Sequence, residues 1–306
     1  MPDGLGGAAG RGNSVPVRPS PVTGLRTGPA PRRARWRRHL GLIVGAVLAG
    51  IWVVGGVAAP LLTHYGLDEQ HLEQAFQPPS PAHPFGTDDL GRDVLSRVLY
   101  GARYTLSLAV AVVALAGAAG MLVGALSGYL GGWADEGMMR ATELVMAFPA
   151  IILAMAIVVA LGPGLVNAGI AMVLVWWPPY ARLARGEVLA VRHLEYVDAA
   201  TAAGQTPAGI FRRTIMPNVL PVIVVLATID FGSAIVTGAG LSFLGLGATP
   251  PTPEWGAMVS AGRELLQQWW VATFPGLAIF LAVIAFNFMG DGIRDALDPR
   301  RRGRSF

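Results

Sequence analysis

The chain has 306 residues, 53% hydrophobic and only 14% charged, with 23 basic and 19 acidic side chains giving a formal net charge of +4. Soluble domains carry about 25% charged residues, so this composition excludes a disordered chain and argues against an ordinary soluble enzyme. Cysteine is absent and every basic residue is arginine, which excludes disulfides, thiolate metal sites, a cysteine nucleophile and a P-loop of the chain's own, whose lysine must reach the phosphates.

Residues 1–38 are rich in Gly, Pro and Arg without an apolar period and read as a disordered basic tail. The pairs Arg32-Arg33 and Arg37-Arg38 precede an apolar run, the pattern of a twin-arginine export signal. That run is span-length and lacks a clean A-x-A site, so a signal-anchor helix over 39–63 is the simpler account. A bilayer core needs about 20 apolar residues per helix. Leu40 to Thr63 and Tyr104 to Ala134 contain no Asp, Glu, Lys or Arg, and neither does Leu144 to Ala181, a run of 38 residues. Gly162-Pro163-Gly164 punctuates the third run as a tight turn, so it reads as two antiparallel spans. Thr214 to Pro253 is interrupted only by Asp230. Its first half reads as a span, and its second half, with Gly238, Gly240, Gly245, Gly247 and three prolines, as loop. Leu265 to Gly290 supplies the last of six expected spans. The fold class is therefore all-α, a polytopic membrane protein.

Arginine sets the expected orientation. With the N-terminus inside, the inside pieces are the two tails and the loops near 131–143 and 182–216. Only Arg92, Arg97, Arg103 and Arg263 then fall outside, leaving 19 of the 23 arginines inside, as the positive-inside rule favours.

The loop after the fourth span carries the most specific pattern. Residues 195–203, from Glu195, Tyr196 and Asp198 to Ala203, suit a short helix; Gly204 can end it in a left-handed cap and Pro207 stops it continuing. Ala199, Ala200 and Ala203 fall at helical spacing on one face, where another protein's groove can approach closely. Pro217 opens the fifth span where a missing amide donor costs little. An amphipathic helix lying on the membrane fits the same physics, and the two readings stay open on the residues alone.

This stretch resembles the coupling loop of ABC-importer permeases, E-A-A, three residues, G, nine residues, I-x-L-P. Asp198-Ala199-Ala200 stands for the triplet and Gly204 for the glycine, followed by nine residues and Thr214-Ile215-Met216-Pro217. Asp198, Thr214 and Met216 depart mildly from the pattern, and the spacing is kept. Further motifs are similar to those of the dipeptide, oligopeptide and nickel permeases. They are His83-Pro84-Phe85-Gly86-Thr87-Asp88, Gly91-Arg92-Asp93 and Ser96-Arg97, then Trp177-Pro178-Pro179-Tyr180-Ala181-Arg182 with Arg185. Leu241 to Gly247, Pro253-Glu254-Trp255-Gly256, Asn287-Phe288, Gly290-Asp291-Gly292, Arg294-Asp295 and Asp298-Pro299 complete the set.

The resemblance covers residues 83–299 and implies the second permease of a pair. Such a chain has one N-terminal helix (39–63), an extracytoplasmic segment (64–101), a five-helix type I core (102–295) with a coupling loop (190–217), and a basic tail (296–306). It also implies the partners: a second permease chain, an extracytoplasmic substrate-binding protein, and two ATPase subunits that bind the ATP and Mg this chain does not hold. In that arrangement Glu195, Tyr196, Asp198, Ala199, Ala200, Ala203, Gly204 and Pro217 couple the chain to an ATPase. The implied cargo is a di- or oligopeptide, with nickel or another small solute as the alternative.

Asp230 is the one acidic residue deep in a span, where a charge costs at least ~2.5 kcal/mol on insertion scales. It reads either as a pathway group that meets a peptide amino terminus or as a polar contact to a neighbouring helix. Gly120, Gly124 and Gly128 place small residues along one face of the second span, for packing within the chain or against the partner permease. Arg140 and Glu143 are expected either to pair or to face an ATPase surface. His64, His71 and His83 share the first outside loop, but His64 and His71 stand two turns apart, and no metal site is expected. An ion-coupled secondary transporter would want more midplane ionisable groups than Asp230 and a clean repeat. A membrane-embedded enzyme would want H-E-x-x-H, G-x-S-x-G or a His–acid cluster, and the sequence has none.

Overall fold

The computed structural model describes residues 32–297, with side chains described from 41 to 294. The expectations for residues 1–31 and for the tail beyond 297, with Asp298-Pro299, lie outside the described residues. Among the described residues the secondary structure is helical, with a lone β-bridge between Thr87 and Asp93.

The helices in order are α1 (Arg32–Val57), α2 (Ala59–Leu62), α3 (Val94–Leu130), α4 (Gly132–Met146), α5 (Ala150–Leu161), α6 (Leu165–Val191), α7 (Glu195–Ala202), α8 (Pro207–Ile210), α9 (Met216–Phe243), α10 (Trp255–Gly262) and α11 (Trp270–Leu297). A π turn at Phe211–Ile215 joins α8 to α9, so one continuous helical run extends from Pro207 to Phe243. That run, α3 and Trp270–Arg294 are each long and apolar enough to cross a membrane. Gly132–Met146 and Ala150–Leu161 qualify together, bent by 88°, and Gly41–Val57 is a shorter apolar stretch. The fourth expected span falls on α6, 27 residues long with Pro178 and Pro179 inside it, which is not among the helices apolar enough to qualify.

Four expectations are corrected. First, α1 begins at Arg32, so the tail expected to end at residue 38 gives up its last seven residues to helix. Second, α3 begins at Val94, eight residues before the core expected to start at 102, because Asp93 caps it by accepting from the Ser96 backbone N–H at 2.7 Å. Third, the expected straight span before Gly162 is broken at Ala147–Pro149. Proline at 149 withholds an amide donor, and α4 replaces the loop expected at 131–143. Fourth, α9 runs on to Phe243 through Gly238 and Gly240, which were expected in loop. Gly238 sits where the helix crosses Leu108, whose side chain would be 2.9 Å from a Cβ there, so the residue serves close packing rather than a turn.

Helix α3 is the central strut, and it runs parallel to α6. Gly120, Gly124 and Gly128 face Trp177, Ala181 and Arg185 in turn, and a Cβ at 124 would lie 2.0 Å from the Ala181 carbonyl oxygen. These glycines therefore serve packing within this chain. Helix α1 meets α11 the same way, with Gly45 against the backbone of Ala285 and Met289. Two cores result. The larger is centred on Val98, Val112, Met172, Ile235 and Trp255, and the smaller on Tyr180, Val188, Val197, Ile210 and Ile215. Residues 63–93, 162–164 and 244–269 gather at one end of the bundle, the cap end. Residues 131–135 and 192–215 gather at the other, the loop end.

Candidate functional site

The loop end is assembled from α7 and its two flanks. Glu195 and Asp198 occupy the first turn of α7, where carboxylates complement the positive end of the helix dipole. At the other end the Gly204 N–H donates to the Thr201 carbonyl (3.0 Å) and the Gln205 N–H to the Ala200 carbonyl (3.2 Å). Gly204 has φ +79°, so the helix closes in a left-handed glycine cap, as its sequence predicts. Thr206 then accepts from the Gly209 N–H to cap α8, with Pro207 at its first position. Pro217 is the second residue of α9, but the helical run is continuous from Pro207, so Pro217 lies inside that run just after the π turn rather than opening the span as expected.

Val197 is the buried residue of α7, in the smaller core with Val191, Ile210 and Ile215. Glu195, Tyr196, Asp198, Ala199, Thr201, Ala202, Ala203 and Gly204 are exposed, Tyr196 at 44%. The expected three-alanine face is not kept. Ala200 is half-buried and packs with Val197 against the smaller core, while Ala199 and Ala203 stay outward. The hundred-degree step between 199 and 200 carries the second alanine round to the inner side.

The platform under α7 is braced by groups that sequence spacing does not bring together. Arg185 of α6 donates to both Asp135 carboxylate oxygens, each at 2.6 Å, and the Ser127 hydroxyl donates to the same carboxylate. Arg192 donates to the Gly128 carbonyl (2.9 Å), and the Tyr129 hydroxyl donates to the Pro207 carbonyl (2.9 Å). Arg140 pairs with Glu136 at 2.9 Å rather than with Glu143, because the pair one turn back on α4 has the i, i+4 spacing.

At the cap end the quoted motifs form a buried polar network. Asp88 accepts from the Arg92 side chain (2.7 Å) and lies 3.5 Å from Arg97. His83 stacks on Tyr65 and bridges Asp93 and Gln74, each at 3.0 Å. Buried Glu254 accepts from the Thr105 hydroxyl and caps α10 through the Ala257 N–H, and the indoles of Trp255 and Trp270 donate to the Val98 and Thr87 carbonyls. His71 turns to Glu69 instead (3.2 Å), and the Gly66 backbone N–H and His71 hold the Glu69 carboxyl below its usual range. Among the described residues no set of three His, Cys, Asp or Glu side chains converges.

Asp230 is half-buried midway along α9 and lines a cavity of about 310 Å³ with Trp176, Ser233 and the residues around the α4–α5 break.

The family model described as "binding-protein-dependent transport system inner membrane component" matches residues 120–303. The chain is 44% identical over 263 residues to the probable D,D-dipeptide transport system permease protein of Escherichia coli (strain K12), covering 86% of this chain and 88% of that one. It is 45% identical over 263 residues to a dipeptide transport system permease protein of Alkalihalophilus pseudofirmus, covering 85% and 86%. It is 43% identical over 277 residues to a glutathione transport system permease protein of Pectobacterium atrosepticum, covering 88% and 91%. Its fold is similar to a chain of the MetNI methionine ABC transporter solved in inward-facing conformations, with TM-score 0.54 and 21% identity over 66% of this chain and 96% of that one.

Proposed function

The chain belongs to the family of binding-protein-dependent transport system inner membrane components, and from that premise we propose that it is a non-catalytic permease subunit of an ATP-driven peptide importer. It forms the translocation pathway with a second, related permease chain. A substrate-binding protein delivers cargo at the cap end, outside the cell, and two ATPase subunits bind and hydrolyse ATP at the loop end, in the cytoplasm. Both chain termini are cytoplasmic in this reading, in keeping with the arginine distribution.

The observation that carries the proposal is α7. It is an eight-residue helix closed at its C-terminal end by Gly204, anchored through Val197 with Ala200 half-buried beside it, and otherwise exposed. Glu195, Tyr196, Asp198, Ala199 and Ala203 form the face that seats in an ATPase groove. Ala200 ties that face to the smaller core, Gly204 ends the helix, and Pro217 starts α9 behind it. When ATP binding draws the two ATPases together, α7 is displaced with them. The brace of Asp135, Arg185 and Ser127 passes the displacement to α3, α4 and α6 as one packed body. The peptide cargo is carried over from the names of the dipeptide and glutathione relatives.

The test is uptake of a labelled dipeptide in cells carrying this chain with its partners, with and without an ATPase subunit unable to hydrolyse ATP. Uptake should fall to background with the inactive ATPase. Uptake that continues, and collapses instead with the proton gradient, would make the chain a secondary transporter. Orientation is read separately from cysteines placed in this cysteine-free chain. A membrane-impermeant thiol reagent applied to intact cells should label Ala82→Cys and spare Ala199→Cys.

A further inference from the structure

Among the described residues Asp230 forms no salt bridge, and Ser233 lines the same cavity. Tyr180 is fully buried, and its hydroxyl has no hydrogen-bond partner among the described residues. A carboxylate deep in a span is costly unless it faces a cavity or a partner. Here it faces a cavity of about 310 Å³, at the lower end of the range for small-ligand sites and the size of the leading residue or two of a peptide.

The wall opposite is the break between α4 and α5. Val145 and Met146 close α4, Phe148 lies in the break and Ala150 opens α5, all on the cavity. Among the described residues no backbone N–H reaches the Met146 or Ala147 carbonyl. The break therefore offers free acceptors from α4 and free donors from the first turn of α5. The two helix ends carry about half a charge each, of opposite sign. They offset one another to first order, so a carboxylate charge on Asp230 would decide the sign of the cavity. Trp176 adds an indole to the same wall, a surface that attracts cations.

We infer that this cavity is a transit site for the free ammonium group of a peptide, with Asp230 as its counter-charge and the α4–α5 break as the partner of the first peptide unit. The inference rests on the peptide-importer reading. The free carbonyls add acceptors for the ammonium N–H groups, and the α5 donors suit the first peptide carbonyl. An N-acetylated peptide loses the charge and should lose the site.

Ser233 lines the cavity and is exposed, so Ser233→Cys is a reporter in a chain without cysteine. In the transporter assembled in membrane vesicles, a cationic methanethiosulfonate reagent should modify it about tenfold faster than an anionic one, after correction for their rates with a free thiol. Adding Asp230→Asn should bring the two rates within about twofold. Alanyl-alanine should slow modification severalfold, and N-acetyl-alanyl-alanine should not. A charge ratio near one in the parent, or one that Asp230→Asn leaves unchanged, overturns the inference, as does equal protection by the two peptides. If the double variant fails to assemble, the protection experiment with Asp230 intact decides. Loss of uptake with the inactive ATPase, together with an unchanged charge ratio, would sink this inference and leave the importer reading standing.

Discussion

At the cap end, Asp88, Arg92, Asp93, Arg97 and Glu254 are all buried, and each of the three carboxylates finds its partners within the chain. At the loop end, Glu195, Tyr196, Asp198 and Ala199 are exposed, and none of their side chains makes a hydrogen bond among the described residues. Both ends carry sequence motifs of similar density. The cap end spends its motif on holding itself rigid, whereas the loop end builds a helix, caps it, fixes it through Val197 and leaves the rest of its surface unspent. A fixed cap suits docking by a delivery protein that must find one shape. A helix fastened at few points suits a partner that supplies the remaining contacts and moves it.

The comparison breaks first at Asp88. Replacing it by Ala leaves the buried Arg97 guanidinium without its carboxylate and Arg92 with only Asp89 at 3.3 Å, and removing one member of a buried ion pair costs about 3–5 kcal/mol. Thermal unfolding of purified Asp88→Ala should show a large loss of stability. A midpoint equal to the parent's would mean the cap network does not hold this end together. Gly124→Leu comes next. With Ala181 against the site, the side chain must part α3 from α6, and overpacking costs typically about 1–3 kcal/mol. Unchanged stability there would contradict the close crossing of the two helices.

Val197→Ala should cost less, about 1.6 kcal/mol for two buried methyl groups, but its effect should be local. Limited proteolysis should cut between residues 192 and 206 severalfold faster, with the cap end unaffected. Ala199→Trp sharpens the contrast further. At an exposed site it should change stability by less than about 0.5 kcal/mol, yet uptake should fall strongly because the bulky side chain blocks the ATPase groove. Smallest of all is Arg140→Ala, which removes an exposed pair with Glu136 and should shift stability by no more than about 0.5 kcal/mol.

Local rules made the loop end legible in sequence. Glycine at 204 has to take a positive φ and proline at 207 has to begin rather than continue a helix; these constraints act within a few residues and both hold, whereas Pro217, expected to open a span, lies inside a run that is helical from Pro207. Which alanines face outward was less legible, because Ala200 is turned inward by the position of the smaller core, a tertiary fact. The break at Ala147–Pro149 was hidden inside a long charge-free run, where composition registers hydrophobicity but not direction, although Pro149 marks it. The continuation of α9 through Gly238 and Gly240 was misread for the opposite reason. Glycine is a loop signal in water, but between membrane helices it permits close crossing. The Asp135–Arg185 brace joins residues 50 positions apart, and no local pattern announces it.

The most direct test of the central claim, that α7 is the handle worked by an ATPase, is crosslinking from Ala199→Cys in the assembled transporter, using a short thiol-to-amine reagent. The account predicts capture of an ATPase subunit from position 199, and no such capture from Ala82→Cys at the cap end. An assembled, ATP-hydrolysing complex in which position 199 labels freely and never captures the ATPase would contradict it.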